Sequence, residues 1–329
     1  MDTHPKVDFA SNPQNQTTYK KERLKEKFTR NLRKISQQKL LQMMALLGVV
    51  WMIIFNYIPM YGLIIAFKEF NIIKPISESP WVGWMQFQEF IQDDNFWIIL
   101  KNTLGISIIK LIIGFPLPIL FALLLNELTS IKFKKMVQTI SYLPHFLSWV
   151  VLGGILTTWL ADVGIINDIL LAFGVIDERI NYLAEPSYFW SIVIISDIWK
   201  ELGWSAIIYL AAIAGVSPEM YEAATIDGAN RLQKIWYVTL PSIRPTITIL
   251  FILAVSGIFN SNFDQILVLR NSLNESASNV IDIYVYQVGI QNARYSYATA
   301  VGLLKSVVAF ILLLLANKIV KKLNGTSLF

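Results

Sequence analysis

The chain has 329 residues, a net charge of +5, 54% hydrophobic residues, only 16% charged residues and a mean hydropathy of +0.50. Soluble chains carry about 25% charged residues, so this composition excludes a disordered protein and a nucleic-acid-binding domain and argues against an ordinary soluble enzyme. With no cysteine there is no disulfide, thiolate metal site or cysteine nucleophile, and His4 and His145 alone make a poor start for catalytic zinc, which needs about three protein ligands.

Residues 1–40 form a polar, basic tail. Lys20 to Lys39 holds nine Lys/Arg against two Glu, with Phe28, Leu32 and Ile35 on one helical stripe, as in a short amphipathic helix at a membrane surface. The charged region before the first apolar run is too long for a signal peptide.

Six apolar stretches follow, near 41–67, 98–125, 136–160, 188–214, 246–268 and 298–317, each long enough for a hydrocarbon core that takes about 20 helical residues. The third is interrupted by Pro144 and Gly153-Gly154. The expected architecture is all-α and integral to the membrane, with a six-span domain over 41–320 and a short tail over 321–329. With the N-terminus inside, 19 of the 28 Lys/Arg fall in inside segments and five in outside loops, so the charge bias predicts both termini in the cytoplasm. The outside loops hold twelve of the 23 acids. Trp81, Trp84 and Trp97 lie near expected interfaces, and the loop 161–187 has room for a small outer-face helix.

The inside segment 215–245, GVSPEMYEAATIDGANRLQKIWYVTLPSIRP, is too patterned for a plain connector. Ser217-Pro218 reads as a helix start, a hydroxyl N-cap before proline at the first helical position. A short helix should run from Pro218 to about Ile226 and break at Asp227-Gly228, where glycine takes the left-handed conformation. A second should run from about Ala229 to Val238 and stop at Leu240-Pro241. Ala223, Ala224 and Gly228 would let another backbone approach closely, and Glu222 and Asp227 are available to a partner.

This loop resembles the E-A-A-x3-G-x9-I-x-L-P signature of ABC importer permeases. Glu222, Ala223, Ala224, Gly228, Leu240 and Pro241 stand at the matching positions, with Val238 in place of Ile. The longer carbohydrate-permease form E-A-A-x2-D-G-A is completed by Asp227 and Ala229; Ile235 stands where that form usually has Phe. IPMYGLIIAFKEFN (Ile58–Asn71), SPWVGWMQFQEF and YLPHFLSW (Tyr142–Trp149) resemble the polysaccharide-type subgroup, and the resemblance covers about residues 40–320.

The resemblance implies one half of a type I importer's membrane domain in a bacterial cytoplasmic membrane. A second, homologous permease subunit would complete the path, two ATPase subunits would bind ATP and Mg, and an extracytoplasmic solute-binding protein would deliver cargo. Residues 218–240 would be the coupling helix in an ATPase groove. No G-x-x-x-x-G-K-[ST] occurs, and no cofactor, metal or nucleic acid is expected on this chain. An oligosaccharide is the expected cargo, with an amino acid or peptide as the alternative. A membrane enzyme would need a clustered nucleophile–base set or a metal triad, and no G-x-S-x-G or H-E-x-x-H is present.

A charge at a span centre costs about 2.5–3.5 kcal/mol on insertion scales, so the charges within spans need reasons. Asp197, Lys200 and Glu201 share one face of the fourth span, with Trp199 and Trp204 close by. They read either as a cavity wall that stacks sugar rings or as an Asp197–Lys200 pair locking two helices. Asn260, Asn262, Asp264 and Gln265, with Asn260 and Asp264 four apart on one face, read as the outer part of the path or as a solvated helix end. Lys110 and Lys305 could line a cavity or pair with Asp197, Glu201 or Asp264. His145 reads as a satisfied buried histidine. The acid-rich outside loops disfavour a strongly anionic glycan at the entrance, while Lys110, Lys200 and Lys305 leave an acidic sugar open.

Overall fold

A computed structural model describes residues 38–324. The basic stripe of the N-terminal tail lies outside the described residues. The chain divides into two compact units, Met1–Leu63 and Ile64–Phe329. Among the described residues every regular element is helical, apart from an isolated bridge between Lys68 and Trp81.

Helix α1 is the run Lys39–Phe67. Pro59 has no N–H for the ladder, and the helix absorbs this with a π-turn at Ile53–Tyr57 just before it, in which Ile58 N–H donates to the Ile53 carbonyl. None of its residues from Lys39 to Met60 is buried. An apolar stretch with no side chain buried suits a lipid solvent, where the backbone is satisfied internally, whereas Ala66 near the end of α1 is buried.

The first helix wholly within the second unit is the amphipathic α2, Met85–Gln92, which buries Phe87 and Phe90. Next come α3, Phe96–Asn126, α4, Ile131–Phe146, and α5, Trp149–Trp159. The third apolar stretch differs from expectation. It starts at Ile131 rather than 136 and bends by 99° between α4 and α5. The bend lies at Leu147-Ser148: Leu147 is extended (ψ 135°), and the Ser148 hydroxyl accepts from Val151 N–H to start α5 anew. Pro144 is accommodated in a 3₁₀ turn before the bend. Gly153-Gly154 do not interrupt the helix; at Gly153 an added Cβ would lie 2.4 Å from Val268 Cγ1, so this glycine admits a close neighbour.

After the short helix α6, Ile165–Ala172, comes α7, Pro186–Ala214. It approaches α4 so closely that a Cβ on Gly203 would sit 2.2 Å from the Ser141 carbonyl oxygen. Helix α8, Pro218–Ile226, leaves α7 at 71°. Helix α9, Arg231–Ser256, corrects two expectations. Leu240-Pro241 does not end a helix. A π-turn at Ile235–Thr239, with Leu240 N–H on the Ile235 carbonyl, lets the helix continue through Pro241 into the span. The fifth stretch also stops at Ser256, not 268. After Gly257 the backbone leaves helical geometry, and Asn262 takes a left-handed conformation (φ 57°) before α10, Phe263–Leu269.

The remaining elements are α11, Glu275–Ser278, α12, Ile281–Tyr286, and α13, Tyr295–Asn324. Among the described residues four helical runs are long and apolar enough to cross a membrane, and two bent pairs, each counted as one span, raise the number to six. Two buried layers hold α3 and α7 together. Ile106, Phe189, Val193, Ile266 and Ile283 form one, and Leu123, Ala206, Tyr209 and Ile243 form the other. Since lipid tails are as apolar as these side chains, close packing rather than water exclusion holds them.

Outside the candidate spans, Asp93 joins α12 and α13. Tyr284 and Tyr297 donate to its Oδ2 at 2.6 and 3.2 Å. Burial pushes the Asp93 carboxyl up, but the Tyr284 hydroxyl, the Asn95 N–H and the Tyr297 hydroxyl outweigh it and hold the carboxyl below its ordinary value.

Candidate coupling loop and cavity

The junction between α8 and α9 is fixed by local chemistry. Gly228 has φ 77°, where a side chain would be strained. Around it, Gly228 N–H donates to the Thr225 carbonyl at 3.1 Å and Ala229 N–H to the Ala224 carbonyl at 2.9 Å, the paired bonds of a Schellman motif. Asn230 and Gln233 then form a capping box that starts α9. The start of α8 departs from expectation: Ser217 holds the N-cap position with Pro218 after it, but its hydroxyl makes no capping bond.

Two tertiary bonds brace the corner. Lys234 Nζ donates to Thr225 Oγ1 at 2.8 Å, and the Tyr221 hydroxyl meets Thr239 Oγ1 at 3.0 Å. The sequence reading missed all four residues, because nothing in local spacing says that the π-turn faces α8. No residue of α8 is buried. Glu222, Ala223, Asp227 and Gly228 are exposed and Ala224 and Ala229 half-buried, so the corner from Glu222 to Ala229 presents one accessible surface. Leu240 and Pro241 lie apart from it, in α9 beyond the π-turn.

The second region is a cavity of about 690 Å³ between α3, α7 and the break after α9, lined by Ser107, Lys110, Asp197, Glu201, Asn260 and Asp264 among others. Lys110 Nζ lies 2.7 Å from Asp197 Oδ2, and Asn262 Nδ2 donates to Asp197 Oδ1 at 2.8 Å. The Asp197 side chain is 5% exposed and that of Lys110 31%, so the carboxylate is enclosed while the ammonium reaches the cavity. The expected Asp197–Lys200 pair is not formed. Lys200 Nζ donates instead to Glu201 Oε1 at 3.0 Å and to the His145 carbonyl at 2.8 Å. Glu201 Oε2 meets His145 Nδ1 at 2.8 Å, so these three residues tie the end of α4, just before the bend, to α7.

Other expected members fall elsewhere. Trp199 is half exposed and Trp204 stacks on the His145 ring at 4.3 Å; neither lines the cavity. Asn260 and Asp264 both line it, but not from one helical face, because the chain between them is non-helical up to Asn262. Lys305 pairs with Asp282, which was not among its expected partners, beside a second cavity of about 510 Å³. The bond from Asn262 to Asp197 was missed. Only the left-handed backbone of Asn262 turns its amide onto Asp197, and the sequence gives no sign of that. Ser107 Oγ is buried without a hydrogen-bond partner in the cavity wall. Among the described residues no group of three His, Asp or Glu could hold a metal ion.

Broken helices around a polar cavity, with a stiff exposed corner at the end of one helix, are features of transporters. Comparison with known proteins agrees. The model of the family described as "binding-protein-dependent transport system inner membrane component" matches residues 114–325. The polygalacturonan/rhamnogalacturonan transport system permease protein YteP of Bacillus subtilis (strain 168) is 42% identical, over 93% of this chain and 95% of that protein. Protein LplB of the same organism is 40% identical, over 90% and 92%. Among solved structures, a chain of a bacterial ABC transporter that imports the acidic polysaccharide alginate superposes with a TM-score of 0.81 at 40% identity, covering 90% of this chain and 99% of that one. The same transporter, in complex with a periplasmic protein carrying an alginate pentasaccharide, gives 0.82 at 39% identity. The helical order thus belongs to a type I ABC importer permease fold, a transport component rather than an enzyme, and the chain is a member of the binding-protein-dependent transport system inner membrane component family.

Proposed function

We propose that this chain is one permease subunit of an ATP-driven importer that carries fragments of an acidic polysaccharide into a bacterial cytoplasm. Its six spans, counting each bent pair as one, lie with both termini inside, as the bias of 19 of 28 Lys/Arg toward the inside segments supports. A second, homologous permease completes the path, two ATPase subunits hold ATP and Mg, and an extracytoplasmic solute-binding protein delivers cargo. Residues 1–40 and 321–329 are cytoplasmic tails flanking the membrane domain.

The observation that carries this reading is the braced corner Glu222–Ala229. A corner that transmits force must be stiff along the push and exposed to the pusher. The Schellman turn, the capping box and the Lys234–Thr225 and Tyr221–Thr239 bonds supply the stiffness, and the unburied α8 supplies the surface. When ATP closes the ATPase dimer, the corner moves as a body with α9, whose far end borders the cavity. The cavity then alternates between two packings. Leu240 and Pro241 serve as the entry of the span rather than as contact residues.

In the cavity Ser107, Lys110, Asp197, Glu201, Asn260 and Asp264 offer hydrogen bonds to sugar hydroxyls. Lys110 is the cation there that meets a sugar carboxylate, while Trp199, Lys200 and Trp204 support the wall from behind. The acidic cargo rests on the names of the relatives and on Lys110, and it reverses the weight first given to the acid-rich outer loops. The test is ATPase activity of the reconstituted complex with a loaded binding protein, over neutral and uronic-acid oligosaccharides and short peptides. Stimulation by uronic-acid fragments supports the proposal. Stimulation by neutral sugars alone, or by peptides, contradicts the assigned cargo.

A further inference from the structure

Four lysines lie within the expected apolar stretches: Lys101, Lys110, Lys200 and Lys305. Lys110, Lys200 and Lys305 each meet a carboxylate. Lys101 is exposed, and among the described residues its ammonium has neither an ion pair nor a hydrogen bond. It sits near the start of α3, the end assigned to the outer face, where cations are scarce. An unpaired charge on an apolar helix calls for a partner from outside the chain.

Lys101 stands at the head of a groove of about 680 Å³ between α3 and α7. Ser107, Lys110 and Asp197 of the same helices face the cavity, and none of them lines this groove. Both helices run in the same direction here, and their stripes match. On α3, Lys101 is followed at helical spacing by Gly105, Ile109 and Ile113. On α7, Ser187 and Ser191 precede Ile194 and Ile195. Trp190 makes the floor, pressed onto Gly105 so closely that a Cβ there would lie 2.2 Å from its ring. The groove is therefore polar and cationic at one end and apolar at the other. From Lys101 to Ile113 is about 18 Å at 1.5 Å per residue, close to the depth of one leaflet of a core of about 30 Å.

We propose that this groove binds an anionic phospholipid of the outer leaflet. Its phosphate meets Lys101 Nζ and the Ser187 and Ser191 hydroxyls, and one acyl chain lies over Trp190 along Ile109, Ile113 and Ile195. The charge selects the headgroup, and the length and dryness of the lower groove select a lipid chain over a soluble phosphate.

The test uses the intact importer complex, purified and then exposed to phosphatidylglycerol or phosphatidylcholine, with bound lipid counted by native mass spectrometry. Phosphatidylglycerol should be retained about fivefold over phosphatidylcholine, as expected for one interfacial lysine. Lys101→Gln should remove that preference, and Lys74→Gln, in an outer loop, should leave it intact. Retained preference in Lys101→Gln overturns the proposal. The chain has no cysteine, so Ile113→Cys gives a single label that reads the apolar end independently. Quenching of that label by a lipid-borne quencher is expected. A cross-link from it to a second permease subunit instead would make the groove a protein seam and overturn the proposal.

Discussion

The α8–α9 corner and the cavity wall are both rigid, but by different means. The corner is held largely by bonds between residues three to five apart, around Gly228 and Asn230. The wall is held by partners far apart in sequence: Lys110 with Asp197, Asn262 with Asp197, and His145 with Glu201. Local bonds leave the corner's outer surface free for another protein. Long-range pairs knit several helices together and leave the wall little freedom to lose a member.

Breaking the wall should cost the most. Asp197→Ala strands Lys110 without its counter-ion, and because that ammonium reaches the cavity the cost falls below the roughly 3–5 kcal/mol of a fully buried pair. The expected outcome is a sharp loss of folded protein in a detergent melt. Replacing both members with apolar residues, as in Lys110→Met with Asp197→Leu, should recover most of the stability but not transport. Next is the contact of α7 with α4. Gly203→Val pushes a side chain against the Ser141 backbone, which cannot rotate away, and should cost about 1–3 kcal/mol as overpacking. A melt unchanged from the parent would show that the two helices separate easily.

The corner should respond more gently. Lys234→Ala or Tyr221→Phe removes one bracing bond, worth about 1 kcal/mol. Either should leave the melt nearly unchanged and loosen α8, read as faster hydrogen exchange at Thr225 to Asp227. Equal protection in the variants would mean that the Schellman turn alone holds the corner. The smallest effect concerns Asp93, whose carboxyl is held below its ordinary value in the folded chain. A depressed carboxyl contributes stability that is present above its unfolded value and lost as pH falls through the folded one. Asp93→Asn should therefore lower the melting temperature slightly at neutral pH and not at all at strongly acid pH. A difference that grows toward acid pH contradicts the hydrogen-bond account.

The same contrast explains what the sequence could reveal. The extent of α8, the break at Gly228 and the short helix α6 were legible because each is written in neighbouring residues. The limits of α9 were not. Pro241 looks like a stop, and only the π-turn at Ile235–Thr239 lets the helix pass it. The apolar run from Ile249 to Phe259, with Gly257 inside it, hid a break that is followed by Asn262 in a left-handed backbone. Lys110 was named as one possible partner of Asp197, but a shared helical face made Lys200 look equally good. Spacing along one helix is silent about which neighbouring helix arrives with a cation.

The central claim is that the exposed corner couples ATP hydrolysis to movement of the cavity. The most direct test is the ratio of sugar imported to ATP hydrolysed by the reconstituted complex, with the parent chain and with Gly228→Trp. A bulky residue at φ 77° is strained and projects from the surface offered to the ATPase. The account predicts that the ATPase remains bound and active while the ratio falls at least about tenfold, the effect of about 1.4 kcal/mol. An unchanged ratio with normal uptake would contradict it.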